Sequence, residues 1–555
     1  MNEHESTLGA PDTPEDLSGG KRDFLKLMGG ASIGLGLGLP GLAEAAQAQL
    51  GCAAGSISTA NVRRNAAYQS RLDAAQAQRA QFECSKTPNG DEESLPAAIN
   101  SYSKGLPHNA LGEVSGSAYQ TLRFALITNS RQALATVPMG TTPSTRFAAP
   151  FLGFTYSLSG PDPQGVPCPA PPDFSSAEAG AEMVELYWRA LTRDVPFAAY
   201  DSDPTIAAAC ADLSAQPGYR GPRSNGQVTP ANVFRGSFPG ELDGPLISQF
   251  LVRPIPHGPY EHEQKLRSGV PGTDFFTTYA DWLLSQRGGG AGPTPLEATP
   301  VFQRNGRDLA LYLLTDYAAQ PALEAALILN RIGAPPNPSL AVLAPNEAGA
   351  IGGFNQFVQL LGAVIAPTLA ACFYQKWQVH RRARPDTYSG RVHNFLSGQA
   401  SHYPLPAELL GSNALAATFS RYGTYLLPMA YRANAPPHPA YPAGHGVGVG
   451  ATVTLLKALY RGDFVLTGNK VASANGQTLL DYAGGLTLEG ELNKLAANVA
   501  LGRDTAGVHF RSDSIQAVLL GERVALAFLA ELRPTLALDF NGFTLRTFGG
   551  VHVTV

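Results

Sequence analysis

The chain has 555 residues and a formal net charge of −4; 44% of the residues are apolar and 15% are charged. The apolar share is enough for a large buried interior, and the lack of a basic excess argues against a nucleic-acid partner. The 59 glycines and 44 prolines are spread along the chain, which favours a globular protein with long ordered loops over a low-complexity chain.

The N-terminus has the order of regions found in a secretory signal. Lys21 and Arg22 form a basic pair, residues 27–42 are apolar and glycine-rich, and residues 43–48 are mostly small. The basic pair resembles a twin-arginine signal with lysine in its first position. We therefore predict that residues 1–48 direct export, that the mature protein is periplasmic or secreted, and that no stable membrane anchor is present. An ordinary secretory signal and an uncleaved anchor are the alternatives.

The cysteines leave two interpretations open. No C-x-x-C pair occurs, so a zinc site is not expected. In an exported protein the nearest pairings along the chain are Cys52 with Cys84 and Cys168 with Cys210, and the sequence does not decide between these disulfides and free thiols. Cys372 lies in an apolar run and is predicted to be a buried free thiol.

Helical periodicity dominates the chain after the signal. In the segment 307–333, Asp308 is predicted to cap a helix, Pro321 to interrupt it and Gly333 to end it. The alternating, β-branched end of the chain predicts a short strand. Apolar residues recur at helical spacing in the segments 175–193, 307–333, 355–382, 446–460, 488–501 and 514–532.

These patterns predict an all-α fold of helical bundles with long proline- and glycine-rich loops and little strand. We assign residues 49–350 to an N-terminal helical region that shapes substrate access and oligomer contacts. Residues 351–540 are predicted to form a helical-bundle core, which could borrow helices from the first region, and 541–555 form a C-terminal tail. No period of 20–50 residues recurs along the chain, so a solenoid is not expected.

Two clusters with the residue types of an oxyanion site follow residue 370. The first, K-W-Q-V-H-R-R-A-R-P, contains Lys376 and Arg384, whose ammonium and guanidinium groups suit a tetrahedral oxyanion. The second, P-H-P-A-Y-P-A-G-H-G, contains His438, Gly444 and His445. A helical pattern begins directly after it, so backbone N–H groups at a helix N-terminus would favour an anion there.

The third cluster, L-G-R-D-T-A-G-V-H-F-R-S-D, places Gly507 between Arg503 and His509, so a turn would let both side chains face one pocket. Asp513 is four residues after His509, within reach on one helix face, and could hold the second ring nitrogen. Taken singly, the first cluster also fits a solvated charged face. The second fits a histidine bonded to nearby backbone, and the third fits a solvated ion pair. Together they predict three cations around one oxyanion, with one histidine as acid–base and another as ligand or nucleophile.

The series K-x7-R-P, P-x-G-H and R-x5-H-x3-D resembles the signature of the vanadium-dependent haloperoxidases, which are similar to type 2 phosphatidic acid phosphatases and bacterial acid phosphatases. The seven-residue gap between Lys376 and Arg384 resembles the bromoperoxidase type. Segments 185–197, 234–251 and 305–310 also resemble bromoperoxidases, so the resemblance covers roughly residues 60–540.

The resemblance implies a vanadate cofactor and a role for each site residue. Lys376, Arg384, Arg503 and the backbone N–H of Gly444 would bind vanadate oxygens, His509 would be the axial vanadium ligand, His445 the acid–base group, and His438 a second histidine that tunes it. Asp513 would support His509. Ala443 stands where the family usually has serine, and the missing hydroxyl removes one hydrogen bond, worth about 1 kcal/mol.

The activity implied is oxidation of bromide or iodide by hydrogen peroxide to a hypohalous acid equivalent, which halogenates a small organic acceptor. A homo-oligomer is expected from the same resemblance. Some relatives hold calcium, but no motif here supports that site. Two alternatives stay open: an exported acid phosphatase with His509 as nucleophile, and a non-catalytic oxyanion-binding protein.

Overall fold

A computed structural model describes residues 57–84, 86–141, 145–343, 353–536 and 540–555. The predicted export signal and Cys52 lie outside these residues, so export stays a prediction. The chain divides at Arg71 into two units. The described part of the first unit belongs to a helix that begins at Ile57, and every other element lies in the second unit, Leu72–Val555.

Helices dominate the described residues, and the few strands pair only as short antiparallel ribbons. The all-α prediction is confirmed. The helices are α1 Ile57–Ala80, α2 Asp91–Ser94, α3 Gly116–Ile127, α4 Arg131–Ala135, α5 Ala177–Leu191, α6 Pro204–Ala215, α7 Tyr279–Gln286, α8 Gly306–Thr315, α9 Gln320–Arg331, α10 Phe354–Tyr374, α11 Pro385–Leu396, α12 Ala407–Leu410, α13 Asn413–Tyr422, α14 Gly444–Leu459, α15 Leu488–Thr505 and α16 Arg511–Leu532. The strands are β1 Ile255–His257 paired with β2 Tyr260–His262, β3 Val465–Leu466 with β6 Leu486–Thr487, β4 Lys470–Ala472 with β5 Leu479–Asp481, and β7 Thr544–Arg546 with β8 His552–Thr554.

The segment 307–333 shows what local patterns determine. It is interrupted as predicted, because Pro321 lies in the first turn of α9, where its missing N–H costs nothing. Gly333, with a φ of 64°, follows the end of α9. The predicted cap was wrong: Asn305 is the N-cap of α8, and its side chain accepts the N–H of Asp308. Asp308 in turn accepts the N–H of Arg304, so it supports the cap from within the first turn.

Helices α14 and α16 pack with their backbones in close contact. A Cβ on Gly450 would lie 2.3 Å from the carbonyl oxygen of Val518, and a Cβ on Gly521 would lie 2.1 Å from that of Val447. Only glycine allows this approach. The beginnings of the two helices are therefore held side by side, and that is where the predicted site lies.

Helix α10 is apolar along its length and continues through a π-helical segment, Gln375–His380, that carries Lys376. Among the described residues, Phe354–His380 is long and apolar enough to cross a membrane by length and composition alone, but 56% of its most apolar stretch is buried inside the protein. A core helix meets the same criteria. Its contacts include α9, α14 and α16.

The main apolar core draws on both predicted regions. Leu309 on α8 and Ile328 on α9 belong to the same buried cluster as Val449 on α14 and Leu495 on α15. Helices before residue 350 are thus part of the packing around the predicted core. The division at residue 350 stays a prediction.

The structure also bears on the predicted cysteine pairings and on the C-terminal tail. Among the described residues Cys84, Cys168, Cys210 and Cys372 are unpaired, and Cys168 and Cys210 lie in different apolar clusters, so that pairing does not form. The pairing of Cys84 with Cys52 is not tested, because Cys52 lies outside the described residues. Cys372 is a buried free thiol, as predicted. The tail contains the hairpin of β7 and β8, which confirms the predicted strand.

Candidate functional site

The three sequence clusters meet at one cavity of about 320 Å³. Its lining includes His438, Gly444 and His445 from the second cluster and Arg503 and His509 from the third. Arg384 and Lys376 of the first cluster are completely buried beside it. All the predicted oxyanion-binding residues are therefore brought together.

Arg384 joins the second and third clusters. Its Nη1 donates to the carbonyl oxygen of Val508 at 2.8 Å and to Nε2 of His509 at 3.0 Å. Its Nη2 donates to Nδ1 of His438 at 2.9 Å, and its Nε donates to the carbonyl of the same residue at 2.9 Å. Because Arg384 precedes Pro385, its backbone is extended, and Arg384 is the residue directly before the first turn of α11. That conformation places the guanidinium between two histidines.

Lys376 points toward the loop that precedes α14. Its Nζ donates to the carbonyl oxygens of Pro439 and Ala440 at 2.7 and 2.9 Å. Burial, together with the nearby positive charges of Arg384 and Arg503, lowers the pKa of Lys376 to about 7. An anion in the cavity would reverse this effect by favouring the charged form.

Arg503 lies in the last turn of α15 and reaches the end of α8. Its Nη1 donates to the carbonyl oxygen of Leu313, while its buried Nε has no partner among the described residues. Helix α8 comes from the predicted N-terminal region, so that region contributes backbone to the site.

The decisive electrostatic feature is that Lys376, Arg384 and Arg503 lack carboxylate partners. All three are buried, and within the described ranges none forms an ion pair. Nearby Arg382 and Arg511, also buried, are each paired with carboxylates. Burying unpaired charge is costly, so this arrangement fits an anionic ligand that supplies the missing negative charge.

The N-terminus of α14 adds backbone donors to the cavity. The helix begins at Gly444, and its N-cap residue Ala443 makes no side-chain hydrogen bond to the first turn. The first N–H groups of a helix carry partial positive charge and are suited to anions. Ala443 is itself buried, and its N–H donates to the carbonyl oxygen of Asp513 at 3.0 Å.

The hydrogen bonds define the tautomers of two histidines. Arginine can only donate, so Nε2 of His509 and Nδ1 of His438 both accept from Arg384. Nδ1 of His438 therefore has no hydrogen to donate to the carbonyl oxygen of Pro439, which lies 3.1 Å away. Nδ1–H of His509 then donates to Oδ2 of Asp513 at 3.1 Å. Burial, reinforced by the nearby cations, holds the pKa of both histidines well below the usual value. His509 is therefore a neutral imidazole whose Nε2 lone pair is suited to act as a ligand.

Asp513 contacts His509 as the spacing predicted, but the two do not share a helix face. His509 precedes α16, and Asp513 is the third residue of that helix. Its Oδ2 also accepts the N–H of Phe510 at 3.0 Å, which caps the helix. The cap therefore pulls the carboxylate back toward the histidine.

His445 is held by a residue that the sequence did not identify. Its Nε2 donates to Oδ1 of Asp316 at 2.9 Å, and Asp316 follows the last residue of α8. Burial and then Arg503 lower the pKa of His445, whereas Asp316 opposes this shift. Asp316 lies 129 residues away along the chain, and only its place at the break between α8 and α9 hinted at a special position.

No group of three or more His, Cys, Asp or Glu side chains in the described part of the chain is arranged to hold a metal ion. Calcium, for which the sequence offered no motif, stays untested.

Known proteins resemble this chain in both sequence and fold. A sequence model of the VCPO second helical-bundle domain matches residues 357–535, which include all three clusters. A vanadium-dependent bromoperoxidase of Ascophyllum nodosum is 35% identical over 491 residues, covering 83% of this chain and 87% of the relative. One from Corallina pilulifera is 30% identical over 547 residues, covering 83% and 91%. The homohexameric structure of the second vanadate-dependent bromoperoxidase from Ascophyllum nodosum superposes with a TM-score of 0.83 at 28% identity, covering 88% of this chain and 90% of that one.

Proposed function

Because the chain belongs to the vanadium-dependent bromoperoxidase family, we propose that its oxyanion cavity holds vanadate and that hydrogen peroxide oxidises bromide there. The family predicted from the three sequence clusters is thus confirmed, and the protein is an enzyme that acts on peroxide. The residue roles below are proposals.

The unpaired cations carry this proposal. Lys376, Arg384 and Arg503 together provide three buried positive groups, which match an oxyanion of two to three negative charges. The N–H of Gly444 would bind a further oxygen, and Nε2 of His509 would bind the vanadium. When bound, vanadate supplies a Lewis-acidic centre that activates peroxide for transfer of oxygen to a halide.

His445 is the proposed acid–base group. With Nε2–H donating to Asp316, its Nδ1 is the position left to accept a proton from hydrogen peroxide and to return one later. A lowered pKa keeps the ring neutral and able to accept. His438 keeps Arg384 in place through Nδ1, and Lys376 would donate a hydrogen bond to the incoming peroxide.

The products and setting follow from the family. We propose that bromide or iodide becomes a hypohalous acid equivalent, which halogenates a small organic acceptor. A homo-oligomer is proposed because one relative forms a homohexamer. Export of the mature protein belongs to the same proposal and is supported by the order of regions in residues 1–48.

Purified protein loaded with orthovanadate tests the proposal when it is given hydrogen peroxide and each halide in turn. We expect bromination of a phenol indicator and oxidation of iodide, and loss of both activities when vanadate is removed. Failure with bromide and iodide alike would contradict the proposal. Hydrolysis of a chromogenic phosphate ester that vanadate inhibits would favour the acid phosphatase alternative.

A further inference from the structure

A buried arginine outside the cavity holds the carboxylate that supports His509. Nη1 of Arg382 donates to Oδ1 of Asp513 at 2.7 Å, whereas Oδ2 of Asp513 accepts from His509 and from the N–H of Phe510. The Arg382 guanidinium also lies 3.9 Å from the ring centre of Phe510. Both oxygens of Asp513 are thus engaged, which fixes the rotation of the carboxylate.

Helix α5 anchors this arginine from the other side. Nη2 of Arg382 donates to Oε2 of Glu182 at 2.9 Å, and Nη1 also donates to Oγ of Ser512 at 2.9 Å. Oε1 of Glu182 accepts the N–H of Ser512. One glutamate therefore holds both Arg382 and the backbone between His509 and Asp513.

We propose that Glu182 and Arg382 are positioning residues that lock Asp513 and thereby fix the Nδ1–H tautomer and the orientation of His509. This inference rests on the proposed function, in which Nε2 of His509 binds vanadium. A ring that turned, or that carried its proton on Nε2, would lose that lone pair as a ligand. Groups that orient metal-binding histidines commonly change metal affinity 10- to 100-fold when they are replaced.

The proposal gives the N-terminal half of the chain a part in cofactor binding. Glu182 lies on α5, which the sequence assigned to a region for substrate access and oligomer contacts. Through Arg382 and Asp513, that helix would help to orient His509.

The chain offers a matched control in the neighbouring arginine. Arg381 is also paired through its guanidinium, in its case with Glu92, but it makes no hydrogen bond to Asp513. Replacing Arg381 by glutamine removes a comparable ion pair while leaving the links to His509 intact.

The experiment compares Arg382→Gln, Arg382→Lys and Arg381→Gln in the full-length protein. Orthovanadate affinity is measured by calorimetry. The tautomer of His509 is read from ring ¹⁵N shifts of vanadate-free protein labelled at histidine and assigned with His509→Gln, with Arg384→Met present throughout, because Arg384 otherwise donates to Nε2 of His509 and selects the same tautomer by itself. We expect Arg382→Gln to weaken vanadate binding about 10- to 100-fold and to mix the His509 tautomers. Lysine should restore part of both properties, and Arg381→Gln should change neither.

Equal vanadate affinities for Arg382→Gln and Arg381→Gln, with His509 still protonated at Nδ1, would overturn the proposal. If Arg382→Gln fails to fold, Glu182→Gln is measured instead, because it removes the anchor of Arg382 and keeps both arginines. Unchanged vanadate affinity and an unchanged His509 tautomer in that variant would overturn the proposal. The tautomer is measured without vanadate, so it tests Arg382 even if the wild-type protein binds no vanadate, an outcome that would instead contradict the proposed function.

Discussion

Replacement of Lys376 by methionine should stabilise the vanadate-free protein while abolishing vanadate binding. Lys376 is completely buried and has two carbonyl acceptors but no carboxylate partner among the described residues. Methionine has a similar length and carries no charge to desolvate. The site would thus impose a stability cost that the ligand offsets.

The size of the effect follows from the pKa of Lys376, which burial lowers from 10.5 to about 7. Each pKa unit corresponds to about 1.4 kcal/mol, so the buried ammonium costs on the order of 4 kcal/mol near pH 7. Loss of the hydrogen bonds to two carbonyl groups returns about 1 kcal/mol each. We therefore expect a net stabilisation on the order of 2 kcal/mol.

The pH dependence has a definite sign. The folded pKa lies below the unfolded one, so the unfolded state binds more protons between about pH 7 and 10.5. Wild-type stability should therefore rise with pH across that window as far as Lys376 contributes. The stability advantage of the Lys376→Met variant should be largest at or below pH 7, fall to zero near about pH 9, where the remaining charge penalty equals the lost hydrogen bonds, and reverse as pH approaches 10.5.

Urea unfolding at pH 7, 8.5 and 10 measures this, with fluorescence of the adjacent buried Trp377 as a signal. Lys457→Met is the matched control. Lys457 is also buried, with its pKa lowered by burial to about 8, but it faces Glu522 at 3.7 Å, so its loss leaves a carboxylate unpaired and should destabilise. The Lys376→Met variant could instead be destabilised at pH 7 as much as Lys457→Met, or its stability relative to the wild type could stay constant with pH. Either result would show that the buried charge of Lys376 carries no such cost.

Four further predictions concern individual side chains. Ala443→Ser should tighten orthovanadate binding about fivefold, since one added hydrogen bond is worth about 1 kcal/mol; calorimetry that shows unchanged or weaker binding would count against the placement of this residue. His445→Ala should lower kcat for bromide oxidation about 10²- to 10⁴-fold while leaving vanadate affinity nearly intact, and an equal loss of affinity would instead make it a cofactor-binding residue. Asp316→Asn should shift the pH profile of kcat through His445, and an unchanged profile would exclude that coupling. Alkylation of unfolded, unreduced protein should label both Cys168 and Cys210, and protection of both would indicate a disulfide.

Periodicity and spacing predicted the helices and the members of the site because these features are local. The six apolar segments matched α5, α8, α9, α10 with its π-helical continuation, α14, α15 and α16 to within a few residues, and Pro321 marked the break between α8 and α9. The contact of His509 with Asp513 followed from a spacing of four, even though a helix cap rather than a shared helix face produces it. Asn305 was missed as a cap because Asp308 has the same capping chemistry three residues later.

Contacts between distant parts of the chain could not be predicted from periodicity and spacing. The bond between Arg384 and His509 spans 125 residues, that between His445 and Asp316 spans 129, and that between Arg382 and Glu182 spans 200. Such pairs depend on how helices pack, and a single sequence carries no spacing signal for them. The lack of carboxylate partners around the three cations became visible only once those contacts were known.

The most direct test of the account is an experimental structure of the protein with orthovanadate, recorded with the anomalous signal of vanadium. We predict one vanadium atom per chain, bonded to Nε2 of His509, with its oxygens contacting Lys376, Arg384 and Arg503. A vanadium atom located elsewhere, or held by the cations without a bond to His509, would contradict the central claim.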